Sequence, residues 1–266
     1  MSQTLEDNAV QAKAVSFERE GDVAVLTMGY APYNLLGVEL ARALKEALAR
    51  ALHEGCRTIV LRSRLRHFSA GADLALFDNQ AAKLQEELDA VGVLEAFEEN
   101  PLPIVASVHG VAVGGGFELA LASDFIVAAS SSKFGLVEAT LGLHPLMGGI
   151  QRVMQRAGAA RGKEMVMFGR RYDAATLEKW GIINRVVPDA QLRDLTMAFA
   201  QELALGPTVA HGCTKKLANI YLRDGMAAAD AAMAEVEKPI FRSQDLVTGL
   251  KTYREKGAAL ATFVGK

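Results

Sequence analysis

The chain has 266 residues, half of them hydrophobic and 23% charged, with 29 Lys and Arg against 31 Asp and Glu for a formal net charge of −2. That much apolar material suits one large, well-buried domain or a domain with an appendage, and without a basic excess neither nucleic acid nor an anionic membrane surface is an expected partner. Two cysteines, Cys56 and Cys213, are too few for a disulfide framework or a thiolate metal site and read as buried, reduced thiols in a cytoplasmic protein.

Residues 1–13 are polar and partly acidic, lack the basic start and apolar run of a signal peptide, and read as a loose tail. No stretch approaches the roughly 18 apolar residues of a membrane span. Residues 15–20 and 22–28 are β-type runs parted by Gly21, a hairpin signature. Leu40, Leu44, Leu48 and Leu52 recur every fourth residue among Arg, Lys and Glu, which predicts an amphipathic helix from Val38 with all four on its buried face. Residues 58–61 form a strand candidate and 64–74 a turn-rich passage; 80–97 is helical and is ended by Pro101 and Pro103.

A strand is predicted over 104–108, followed by a glycine-rich loop over 110–116 that opens a short helix, and then a strand over 125–128. Gly142, Pro145, Gly148 and Gly149 mark a bent connection. From Gln151 helices dominate, interrupted by a strand over 183–187. From about Pro207 the chain is helix-compatible throughout, and the alanine-rich stretch 227–234 suits close helix packing. The strand–strand–helix cadence of the first 190 residues makes the fold α/β, divided into the tail 1–13, a core over 14–200 and a helical region over 201–266.

Chemistry concentrates in three glycine-marked motifs. In Gly114-Gly115-Gly116-Phe117-Glu118-Leu119-Ala120 the glycines lead into a helix whose first amides lack intrahelical partners. An oxyanion near the Gly115 N–H would be stabilised there, and no side chain would block its approach. A tight strand-to-helix turn with no ligand is the better account of the triplet taken alone, and a dinucleotide fingerprint has a different spacing. Glu118 could merely compensate the helix dipole, but its neighbours Phe117, Leu119 and Leu121 are apolar. Burial would raise its pKa and make it a useful base. The second motif, Phe134-Gly135-Leu136-Val137-Glu138, ends on another carboxylate in an apolar passage, where a lone charge is costly. Two such carboxylates flanking one reacting centre can hold opposite protonation states. The third motif, Phe68-Ser69-Ala70-Gly71-Ala72-Asp73-Leu74, allows a sharp turn with an open N–H at Ala72, a candidate second donor; Asp73 reads as a helix N-cap.

With Gly148-Gly149-x-Gln151-Arg152, these motifs stand in the order found in the crotonase superfamily, the enoyl-CoA hydratase/isomerase group, which the chain resembles from about Val15 to Val264. The resemblance implies a spiral of ββα units with a helical C-terminal region that builds trimers, often paired into hexamers. It implies an acyl-CoA thioester substrate and no further cofactor, CoA being part of the substrate. Ala72 and Gly115 would supply the oxyanion hole, and Glu118 and Glu138 the two acid/base positions of the hydratases. Ala70, Asp73, Leu74, Gly114, Leu146, Phe241 and Lys256 would contact substrate or CoA, Phe241 by closing the acyl pocket and Lys256 through a phosphate, although Phe241 reads equally as an aromatic packing between helices. Residues 75–97 would border the acyl pocket.

The chain departs from the family's pattern at Leu146 and Met147, where many hydratases place small residues, and at Val137, where proline is frequent. Segment 31–36 lacks the basic residue that some members carry there, and the stretch around Lys256 is poorer in basic charge than usual. His109 and His144 read as structural or surface residues. Arg152 and Arg156 read as solvated or inter-subunit. No His/Cys/Asp spacing suggests a metal, and no nucleophile elbow suggests a Ser–His–Asp site. Glu118 and Glu138 together favour a hydratase. A Δ3,Δ2-enoyl-CoA isomerase, needing one proton shuttle and no reactive water, is the alternative that Leu146 and Met147 support; a catalytically silent acyl-CoA-binding subunit would need neither carboxylate.

Overall fold

A computed structural model of the chain describes residues 13–73, 90–257 and 261–266. The predicted tail and most of the predicted helix over 80–97 therefore lie outside the described residues. In chain order come β1 (Val15–Glu20), β2 (Val23–Met28), α1 (Val38–His53), β3 (Thr58–Ser63) and α2 (Ala90–Glu99). Next are β4 (Ile104–Val108), β5 (Val111–Val113), α3 (Gly115–Ala122), β6 (Phe125–Ala129) and β7 (Lys133–Gly135). A 3-10 turn at Glu138–Leu141 precedes α4 (Gly149–Phe168), β8 (Tyr172–Asp173), α5 (Ala174–Lys179) and β9 (Arg185–Val187). The chain closes with α6 (Leu192–Leu205), α7 (Thr208–Asp224), α8 (Met226–Val236), α9 (Lys238–Arg242) and α10 (Gln244–Lys256).

Six strands form one sheet in the order β1-β2-β3-β4-β6-β9, with β1 and β2 antiparallel and every later neighbour parallel. A parallel sheet is stable when both faces are covered, and alternation along β2 shows how that is met. Ala24, Leu26 and Met28 enter a core shared with α1, α2 and α3, whereas Val23 and Val25 enter a second core under Met197, Ala200 and Ala204 of α6. On α1 the buried residues are Leu40, Ala41, Leu44, Ala47, Leu48 and Ala51, while Leu52 is 48% exposed, against expectation. Four helical residues turn through ~400°, so a strict fourfold ladder drifts about 40° per step and has left the buried face by its fourth member.

β5 breaks the predicted glycine loop. It is a three-residue strand that leaves the large sheet for a small one of order β5-β7-β8. Residue 69 joins the far side of β5 through a parallel bridge, Ser69 to Ala112. The predicted cadence thus has a structural meaning: in β4-β5-α3 and β6-β7-α4 the first strand serves the large sheet and the second the small one. The C-terminal helices are tied to this core by buried polar contacts. Lys215 of α7 reaches Asp124 at 2.8 Å and the carbonyl of Phe97 at 2.7 Å, and Arg57 binds the carbonyls of Gly206 and Phe263. Much apolar surface on these helices stays exposed, including Tyr221, Leu222, Met226, Met233 and Tyr253.

Candidate active site

Three parallel segments of the small sheet end side by side. Ser69 N donates to Val111 O at 3.1 Å, Val113 N to Ser69 O at 3.2 Å, and Gly114 N to Gly135 O at 2.9 Å. Parallel neighbours deliver the chain that follows them to the same edge. Residues 70–72, 114–115 and 136–138 therefore leave the sheet together, which brings the three glycine-marked motifs into contact. A Cβ placed on Gly114 would stand 3.6 Å from the Gly71 Cα and 3.2 Å from Glu138 Oε1. A Cβ on Gly115 would stand 3.6 Å from the Ala72 N.

Two amides at this edge are left without a protein acceptor among the described residues. Leu36 N donates to Gly71 O at 2.8 Å, and Asp73 N to Leu36 O at 3.1 Å. That parallel bridge turns the Ala72 N–H away from the Leu36 strand. Gly114 turns β5 into α3 with φ +50° and ψ −132°, a conformation open to glycine alone. Its carbonyl accepts from Phe117 N and Glu118 N, so the Gly115 N–H, at the first position of α3, stays unengaged.

Glu118 is 2% exposed on a helix in which every residue is buried. Its Oε1 accepts from Gly149 N at 2.8 Å and Met147 N at 3.0 Å; Oε2 takes no hydrogen bond from the described residues. Burial pushes its pKa up to about 7 from an ordinary 4.5. The Gly149 amide opposes that rise, the nearby Glu138 carboxylate adds to it, and the Met147 amide and Arg152 pull down. Glu138 opens the 3-10 turn and is half-buried, and its Oε2 is buried without a partner among the described residues. Burial raises its pKa too, against its own backbone amide and the His144 side chain. The edge thus joins two free N–H donors to two carboxyl groups that both hold protons more tightly than a solvated acid does.

Ala70 lies in the same turn, its N donating to Tyr33 O at 3.0 Å, and Asp73 follows Ala72 directly. Leu74 lies outside the described residues, as does most of the segment expected to border the acyl pocket. Leu146 is 48% exposed beside the buried Met147. Phe241 is 71% exposed on α9, whose main packing partners are α7, α8 and α10, and Lys256 is exposed at the end of α10. No described contact joins either residue to the carboxylates. His109 is structural, its Nε2 lying 2.7 Å from Leu65 O; His144 is exposed, with Nδ1 2.8 Å from Pro145 O.

The expectation for Arg152 and Arg156 is overturned. Arg152 binds Glu98 Oε1 through Nε at 2.9 Å and Nη2 at 2.7 Å, and donates to Gly148 O at 3.1 Å, which steadies the turn that holds Glu118. Arg156 donates to Ser123 O at 2.6 Å, Leu121 O at 3.1 Å and Ile182 O at 3.1 Å. α3 has no basic residue in its own last turn, so Arg156 satisfies carbonyls that a buried helix end leaves open. The other residues missed from sequence are Met147 and Gly149 as amide donors. The available signal was Gly148-Gly149 ahead of a helix, the same arrangement as at 114–116.

Among the described residues no group of His, Cys, Asp and Glu is placed to hold a metal ion, and no helix is long and apolar enough to cross a membrane. A family model described as enoyl-CoA hydratase/isomerase matches residues 18–261. Carnitinyl-CoA dehydratase of Salmonella paratyphi A is 32% identical over 258 residues, spanning 92% of this chain and 97% of that protein. Among solved structures, enoyl-CoA hydratase subunit I of Geobacillus kaustophilus superposes with a TM-score of 0.88 at 31% identity over 95% of this chain and 98% of the other. Enoyl-CoA hydratase of Bacillus anthracis gives 0.87 at 26% identity over 95% and 100%.

Proposed function

The chain belongs to the enoyl-CoA hydratase/isomerase family, and from that membership we propose that it adds water across the 2,3 double bond of a 2-enoyl-CoA, or removes it from a 3-hydroxyacyl-CoA. One observation carries the reading: the unengaged N–H groups of Ala72 and Gly115 belong to neighbouring segments at one edge, beside two carboxyl groups, Glu118 and Glu138, whose pKa values are both raised.

In the hydration direction the thioester oxygen sits between the two amides. Glu118 accepts a proton from water through Oε2 while its Oε1 stays fixed by Met147 and Gly149. The oxygen of that water bonds to Cβ, and the displaced electron pair passes to the carbonyl oxygen as an enolate. Each amide stabilises this developing charge, a contribution of about 3 kcal/mol per donor. The enolate then takes a proton at Cα from Glu138. Dehydration reverses each step. The competent state holds one proton between the two carboxyl groups, an arrangement that their mutual repulsion favours.

Ala70, Asp73, Leu74, Gly114, Leu146, Phe241 and Lys256 are proposed substrate and CoA contacts. The exposed apolar residues of α7 to α10 support a homotrimer, or a hexamer of paired trimers, which would cover them; a hydrodynamic mass tests this. The functional test is loss of the conjugated absorbance of crotonyl-CoA on incubation with the purified protein. Met147, bulky and buried beside the amides, favours a second reading as a Δ3,Δ2-enoyl-CoA isomerase. No absorbance change with crotonyl-CoA, together with turnover of a 3-enoyl-CoA, would replace the first reading by the second.

A further inference from the structure

Resting on the hydration reading, we propose that Met147 determines specificity at the α-carbon, so that the site takes 2-enoyl-CoA thioesters unbranched at that position. Met147 touches both halves of the site. Its N–H donates to Glu118 Oε1 at 3.0 Å. Its side chain runs back to the amide donors, with Sδ 3.4 Å from the place a Cβ on Gly115 would occupy. Leu36 Cδ2 at 3.4 Å and Ala72 N at 3.6 Å ring the same point. Met147 therefore spans the gap between the oxyanion donors and the carboxylate, the gap that the α- and β-carbons must cross.

The α-carbon is only two bonds from the oxygen held by Ala72 and Gly115, so it lies in the neighbourhood of the Met147 thioether and the Leu36 methyl. A planar, unsubstituted enoyl group passes this wall edge-on. A methyl at Cα adds thickness between the Met147 thioether and the Leu36 methyl, and neither wall yields freely. Leu36 is fully buried, and its N is fixed to Gly71 O. The Met147 backbone is held on both sides, by Glu118 at its N and by Arg152 Nη1 at its carbonyl. The thioether is flexible in itself, but Met147 is 4% exposed and counts among the buried core residues. One methyl group in such a pocket typically changes kcat/KM by about 10- to 200-fold.

The experiment compares kcat/KM for crotonyl-CoA and 2-methylcrotonyl-CoA in the wild-type protein, Met147→Ala and Met147→Leu. The wild type and Met147→Leu, which keeps the bulk, prefer the unbranched substrate by at least about tenfold. Met147→Ala brings the ratio to within roughly threefold of unity. A wild-type ratio near unity, or a Met147→Ala ratio equal to the wild-type one, overturns the assignment. Because Met147→Ala could fail to fold, the dissociation constants of butyryl-CoA and 2-methylbutyryl-CoA for the wild type form an independent arm. Butyryl-CoA binds at least about tenfold more tightly; equal affinities overturn the proposal. A wild type inert toward both enoyl-CoAs defeats the hydration reading alone, and the binding arm then decides the role of Met147.

Discussion

Replacing Glu118 by Gln should abolish turnover and yet make the folded protein more stable above neutral pH. Gln keeps a carbonyl oxygen for the amides of Met147 and Gly149, so the local geometry survives while the charge is lost. In the wild type the folded-state pKa is about 7 against an ordinary 4.5. Between those values the native protein holds a proton that the unfolded chain has released, so unfolding free energy falls as pH rises. At 1.36 kcal/mol per unit, that window removes about 3 kcal/mol of stability, nearly all of it gone by pH 8. Glu118→Gln lacks this slope. Denaturant unfolding of both proteins at pH 5 and pH 8 should show the variant gaining about 2.5 kcal/mol on the wild type between the two conditions, the unfolded chain having already released most of its proton by pH 5. Parallel pH dependences would refute the claim that Glu118 is buried at the cost of its ionisation.

The rate should be bell-shaped in pH. Activity falls in alkali as the pair loses its one shared proton, and falls again in acid as both carboxyls fill; a kcat/KM that climbs steadily to pH 9 would contradict the shared proton. Gly115→Ala should fold normally, because its Cβ meets Leu36 and Met147 at an ordinary 3.4 Å. It should nevertheless lose activity by on the order of 100-fold, since that Cβ intrudes 3.6 Å from the Ala72 amide; full activity with an unchanged melting temperature would remove Gly115 from the oxyanion hole. Lys215→Met should cost about 2–3 kcal/mol in urea unfolding, below the range for fully buried pairs because Asp124 is partly exposed. A change within about 0.5 kcal/mol would show that the pair does not anchor α7.

Glu118 was legible because a carboxylate set among Phe117, Leu119 and Leu121 behind three glycines conflicts with ordinary surface composition. The close approach of the Gly115 and Ala72 segments was legible through the small residues that such an approach demands. The amides of Met147 and Gly149 were not, because backbone N–H groups are the same at every position and only the fold selects which are aimed at Glu118. Arg156 was misread for a related reason. Its partners are carbonyl oxygens of Leu121, Ser123 and Ile182, and a carbonyl leaves no mark in the sequence. β5 was hidden because three residues are too few to display a period of two. Leu52 was misplaced by reading a fourfold spacing as though a helix turned once in four residues.

The small sheet also separates two kinds of selection. The six-stranded sheet contributes to both hydrophobic cores but supplies no group at the two amides or the two carboxyls. These amides and carboxyls hang from the far ends of three short parallel segments, each reached by its own excursion of the chain. Substitutions at Ala70, Ala72 or Glu138, which belong to neither hydrophobic core, can therefore retune this edge while the framework continues to fold as before, and a framework damaged by mutation can be repaired by changes far from it.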